Sequence, residues 1–172
     1  MNRCLILTLA AGLTGGAALY AQDTSFSADA KGAYTGIKNT LLRAADKMPA
    51  ENYSFRTVPE VRTYGELLTH IADIQFMLCG MVQGEQKQGK APENKTKAEA
   101  TAYLKSSFDY CDLVYNSMTD AAGAMKVKMF GRELTKLGVL NFNISHDNEM
   151  YGTAVAYLRI KGIVPPSSDR RP

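Results

Sequence analysis

The chain has 172 residues, 45% of them hydrophobic and 22% charged, with a formal net charge of +3. That length and mixture fit one globular domain with a substantial core and need no second domain. So small a charge excess, with no basic patch interleaved by aromatic residues, argues against a nucleic-acid partner.

The first predicted element is a targeting segment. Arg3 precedes an apolar run over residues 4–19, and small residues follow to Ala21, the pattern of a secretory signal peptide. Gly12, Gly15 and Gly16 interrupt the run, which is short for a bilayer span of roughly 20 apolar residues. The expected division is a signal peptide at 1–21, one domain at 22–168 and a disordered tail at 169–172. The mature chain is then secreted or periplasmic, with no stable membrane anchor after cleavage.

A first helix is predicted over about residues 28–47, where Ala33, Ile37, Leu41, Leu42 and Ala45 form a stripe that Pro49 ends. A loop follows to Arg62. Thr63-Tyr64-Gly65-Glu66 then reads as a capping box opening a second helix, which runs to about Val82 and carries His70. Residues 84–95 are polar and read as an exposed connection. Thr96 and Glu99 suggest a second capping box, and a third helix continues to about Met118. Its apolar stripe is Leu104, Phe108, Cys111, Tyr115 and Met118.

Residues 125–130 alternate apolar and basic side chains, the pattern of a short extended piece too brief to define a sheet. A fourth helix is predicted to start between Glu133 and Leu137 and to end at Gly162, with Pro165 barring continuation. Two apolar stripes fall on nearly opposite sides of it. One holds Leu137, Leu140, Ile144, Tyr151, Val155 and Leu158; the other holds Val139, Phe142, His146, Met150, Tyr157 and Ile160. Such a helix is wedged between neighbours. The fold class expected is therefore all-α, a four-helix bundle of the kind that places ligands between facing helices.

After cleavage two cysteines remain, Cys79 and Cys111. An even count outside the cytoplasm permits one bridge. Cys111 on an apolar stripe reads equally as a small buried hydrophobe, and the expectation is two free, buried thiols. Neither has a nearby histidine in sequence to make it a nucleophile.

The candidate site rests on the only two histidines, His70 and His146, each at or beside an apolar stripe of a separate helix. Such imidazoles suit a metal ligand or proton carrier between helices. Position 150, one turn beyond His146, would complete a three-ligand set but is Met150. Glu66, one turn before His70, is a possible substitute ligand, although its capping role already accounts for it; Asp73 and Glu149 are also within helical reach of a histidine. Thioether and imidazole together suit Cu(I), with Met77 and Met81 on the helix of His70, while gap-filling is the routine role of methionine. Tyr64, Tyr151 and Tyr157 read either as pocket-lining hydroxyls or as core aromatics, and Arg159 as a structural residue pairing with a carboxylate or the last carbonyls of its helix.

Two strings, AADKMPAENYSFRTVPEVRTYGELLTHIAD at 44–73 and HDNEMYGTAVAYLRIKGIVPPSS at 146–168, resemble the DinB-like superfamily. The resemblance implies an up-down-down-up four-helix bundle, frequent dimerisation, and a divalent nickel, zinc or iron ion held by three histidines. Carried over by position, those ligands fall on His70, His146 and Met150, so two match and one departs. The activities implied are metal-dependent hydrolysis or thiol transfer on an unknown small-molecule ligand. Loss of an imidazole donor at Met150 implies weak metal binding or none. The alternative is a non-catalytic binding module on the same fold.

Overall fold

The structure is a computed structural model that describes residues 25–169. The signal peptide expected at 1–21 and the tail residues Arg170 and Arg171 lie outside the described residues. Helix α1 spans Phe26–Lys47, α2 Tyr64–Gln83, α3 Lys97–Ser117, a single turn α4 Asp120–Gly123, and α5 Lys136–Ile160, with strands β1 Lys126–Met129 and β2 Arg132–Thr135 before α5. The fold is mostly helical, as expected. Helices α1 and α2 each pack mainly against α3 and α5, so the four long helices ring one core in the order α1, α3, α2, α5. No described helix is long and apolar enough to cross a membrane.

Local chemistry explains where the helices begin and stop. Ser25 caps α1 by accepting from the Ala28 amide, and the Asp120 carboxylate accepts the Phe26 and Ser27 amides from across the fold. These backbone donors, Ser27 above all, hold the Asp120 carboxyl below its ordinary range. At α2 the capping box forms in full: Thr63 Oγ1 accepts from the Glu66 amide at 3.2 Å, and Glu66 Oε2 accepts from the Thr63 amide at 2.7 Å. At α3 the reciprocal bond is absent. There the Glu99 amide donates to Thr96 Oγ1, and that hydroxyl donates to Glu99 Oε2 at 2.6 Å. Helix α5 ends two residues before Gly162, whose φ of 72° lets the Ile163 amide reach back to the Leu158 carbonyl at 2.9 Å.

Three expectations are corrected. First, residues 126–135 form a two-stranded antiparallel hairpin, pairing Lys126 with Thr135 and Met129 with Arg132. Phe130 and Gly131, both at positive φ, make its two-residue turn, which a twisted hairpin favours and which is hard to see before a helix-like sequence. Second, Cys79 and Cys111 are bonded to each other, not free. Neighbouring helices α2 and α3 bring their Cα atoms to 5.5 Å, inside disulfide range, and a spacing of 32 residues along the chain gives no hint of that approach. Third, Phe142 and Ile160 stand 44% and 59% exposed, whereas Asn143 and Asp147 are fully buried. The buried face of α5 is therefore Val139, Leu140, Asn143, Asp147, Ala154, Tyr157 and Leu158, apolar residues with two polar ones set among them.

The last described residues fold back on α1. Arg159 donates to Ser168 Oγ, not to a carboxylate, and the Asp169 carboxylate bonds Arg43 and Lys47 at 2.5 and 2.6 Å. The hydroxyls of the three tyrosines considered as pocket residues are all engaged within the fold. Tyr64 donates to the Ala44 carbonyl, Tyr157 to the Arg62 carbonyl and Tyr151 to Ser167.

Candidate functional site

Helices α2 and α5 are neighbours, and their packing brings the two histidines together. His70 Nε2 and His146 Nε2 lie 3.3 Å apart, with ring centroids at 5.2 Å and ring planes inclined by 70°. The His146 side chain keeps only 13% of its surface, while His70 stands at the edge of the packed region. Burial first, then the nearby Arg62 cation and His146, hold the His70 imidazolium below its ordinary pKa, against an opposing pull from Asp73. His70 is thus biased toward the neutral form that can ligate.

Two hollows flank the pair. His70 opens on one of about 520 Å³ whose wall includes Arg56, Arg62, Glu66, Thr69 and Asp73. Met150 lines another of about 470 Å³ with Leu67, Thr153 and Tyr157, and the turn Glu60, Val61 and Arg62 walls both. Tyr157 Oη donates to the Arg62 carbonyl at 2.5 Å and pins that turn to α5. Glu66 does stand in the hollow of His70, but its Oε2 is engaged by the Thr63 amide and lies 3.6 Å from Arg56. These contacts hold its carboxyl below the ordinary range. Asp73 accepts from Tyr103 Oη at 2.6 Å. Met77 and Met81 line a separate hollow of about 490 Å³ against the hairpin and the residues after α2, so the Cu(I) reading gains no support from them.

As a metal site, the donor set is two imidazole nitrogens. Two nitrogens on one tetrahedral ion, each at about 2.0–2.1 Å, are separated by about 3.3–3.4 Å, the spacing seen here. Among the described residues no group of three or more His, Cys, Asp or Glu side chains is placed to hold a metal. The residues therefore fit an ion held by two nitrogens with its other positions left to solvent or substrate, and not a closed three-ligand site.

Behind His146 lies a polar network that sequence reasoning missed. Gln75, Asn143 and Asp147 are completely buried where α2, α3 and α5 meet. Gln75 Nε2 donates to Asp147 Oδ2 at 2.7 Å, and Asn143 Nδ2 donates to Gln75 Oε1 at 3.0 Å and to Tyr115 Oη at 3.3 Å. Burial raises the Asp147 carboxyl to about 6, with His146 pulling the other way. The available signal was the spacing of Asn143 and Asp147, one turn apart and in line with Leu140, Ala154 and Leu158.

Comparison with known proteins follows the same lines. A model of the DinB superfamily matches residues 33–154. The solved structures similar to the chain include a DinB-like protein from Bacillus subtilis, at 17% identity and a TM-score of 0.69 over 83% of this chain and 99% of that one. A DinB-like protein from Bacillus cereus is similar at 18% identity and a TM-score of 0.69, covering 80% and 93%. A mycothiol-dependent maleylpyruvate isomerase is similar at 16% identity and a TM-score of 0.61, covering 77% of this chain and 62% of that one. At such identities the likeness is one of fold. No curated protein matches the sequence.

Proposed function

The chain belongs to the DinB superfamily, and we propose that its His70–His146 pair, inside an up-down-down-up bundle, is a weak divalent-metal centre of hydrolase or thiol-transferase type. The observation that carries this reading is the approach of the two Nε2 atoms to 3.3 Å from separate helices. Nickel, zinc or iron bound there supplies Lewis acidity, which makes a nucleophile available near neutral pH. His70 and His146 hold the ion, and Met150 contributes bulk in place of a third nitrogen. The hollow beside His70 has room for a small polar molecule, with the Arg56 and Arg62 side chains on its wall to orient it.

Action outside the cytoplasm is part of the proposal. The Cys79–Cys111 bridge, typical of oxidising compartments, supports it alongside the signal-peptide pattern. Low-molecular-weight thiols are cytoplasmic, so that location favours hydrolysis over thiol transfer. A second reading, a binding module on the same fold with no reaction, is favoured by the lack of a third conventional donor among the described residues.

The test is metal content by mass spectrometry after dialysis, in the parent and in His70→Ala, His146→Ala and Met150→His. The expected result is a parent that loses most of its metal on dialysis but takes up added zinc, with that uptake lost in both alanine variants. A metal-free parent that also ignores added zinc, with uptake only by Met150→His, would replace the centre by the binding module.

A further inference from the structure

Among the described residues three buried side-chain atoms have no hydrogen-bond partner, Asn143 Oδ1, His146 Nδ1 and Asp147 Oδ1, and the last two face each other. His146 Nδ1 and Asp147 Oδ1 stand 3.9 Å apart. That is too long for a direct bond, yet buried polar atoms are nearly always satisfied. A small rotation of the imidazole satisfies both at once.

Which atom gives the proton is fixed from the far end of the network. Tyr115 Oη donates to the Leu140 carbonyl at 2.9 Å, and a carbonyl can only accept. With its proton committed, the Tyr115 oxygen accepts from Asn143 Nδ2, which also faces Gln75 Oε1. Gln75 then presents Nε2 to Asp147 Oδ2. Every amide in the chain is oriented by this order, and it ends on a carboxylate whose second oxygen is a pure acceptor aimed at His146. We propose that Asp147 is the positioning residue of the histidine pair: it holds the His146 proton on Nδ1 and so turns the Nε2 lone pair toward His70.

The consequence for the site is directional. With His146 fixed as the acceptor at Nε2, the metal-free pair is closed by His70, donating from its own Nε2. His70 stands at the edge of the hollow and can shift that proton to Nδ1, which leaves two Nε2 lone pairs facing one point. Only the zinc arm of the test below rests on the metal-centre reading; the tautomer does not.

The experiment is ¹⁵N NMR of the imidazole side chains in metal-free protein at about pH 8, in the parent and in Asp147→Asn. Gln75 Nε2 requires an oxygen at its side of residue 147, so the asparagine points its NH₂ group at His146. A donor there forces Nδ1 to accept. The expected result is an Nδ1–H tautomer for His146 in the parent and an Nε2–H tautomer in the variant, with unchanged helical circular dichroism. Zinc affinity should fall in the variant by about 10–100-fold, the usual effect of losing a partner behind a ligand. A parent His146 in the Nε2–H form, or a variant in which the tautomer does not change, overturns the proposal. Should the variant not fold, the parent spectrum alone decides. A parent with the expected tautomer that takes up no zinc sinks the metal centre and leaves the role of Asp147 standing.

Discussion

Removing the Cys79–Cys111 bridge is expected to cost several kcal/mol of stability. The bridge closes a segment of 32 residues, and the chain-entropy relation for that length gives about 12 cal/mol/K, or about 3.7 kcal/mol at 25 °C. Against a net stability of roughly 5–15 kcal/mol for a domain, that is a large fraction. At about 2–4 °C per kcal/mol for a chain of this size, Tm should fall by roughly 7–15 °C. Both cysteines are fully buried, so alanine at each adds only a small cavity loss. The assay is urea unfolding of the Cys79→Ala, Cys111→Ala double variant beside the parent. The slope m should rise as the midpoint falls, because the cross-link restricts the unfolded chain. Titration of thiols in denatured, unreduced parent should find neither cysteine. Two reactive thiols, or a loss below about 1 kcal/mol with unchanged m, would refute the reasoning, since an unbridged or slack pair constrains nothing.

His70 should titrate below the ordinary imidazole value in NMR, and Arg62→Ala should raise it by removing the second-largest of the causes that depress it. The sign for stability follows: an imidazole depressed by folding binds more protons unfolded, so it removes stability as pH falls from about 6.5 through its folded value. Arg62→Ala should therefore flatten that part of the pH–stability curve, and an unchanged slope would count against the assignment. Thr63→Ala, which breaks the α2 capping box, should cost about 1 kcal/mol in thermal or urea unfolding. A neutral result there would mean that the bonds of Glu66 and the first turn of α2 are held by packing alone.

The helices were legible because their punctuation is local. Thr63 and Glu66 at the start of α2, and Gly162 after α5, satisfy backbone groups within a few residues, and sequence spacing shows that directly. The meeting of His70 and His146 between helices was also legible, since two imidazoles on separate apolar faces have few ways to be satisfied. What the spacing concealed depends on contacts between distant segments. The disulfide needs the particular approach of α2 to α3. The hairpin needs Phe130 and Gly131 at positive φ, and β2 resembles the start of the helix that follows it. On α5, side-chain type misled: Phe142 and Ile160 suggested an inner stripe, while the inner positions went to Asn143 and Asp147, whose polarity is satisfied by Gln75 of another helix.

The buried carboxylate also gives a thermodynamic handle on whether this part of the core is tuned for function. Burial lifts Asp147 from 3.8 to about 6. Since each pKa unit is worth about 1.4 kcal/mol, ionising it in the folded chain costs on the order of 3 kcal/mol. A raised carboxyl binds its proton more tightly when folded, so its contribution is fully present below the unfolded value near 3.8 and is lost as pH rises through about 6. Asp147→Asn removes the charge, and its stability relative to the parent should improve between about pH 4 and pH 8, as read from unfolding midpoints at each pH. A difference flat across that range would show that the carboxylate is not strained by burial. Given the expected slope, an uncharged residue at this position would make the folded chain more stable at neutral pH. A costly acid kept beside His146 then belongs with groups whose use lies in the site they support and not in the stability of the fold.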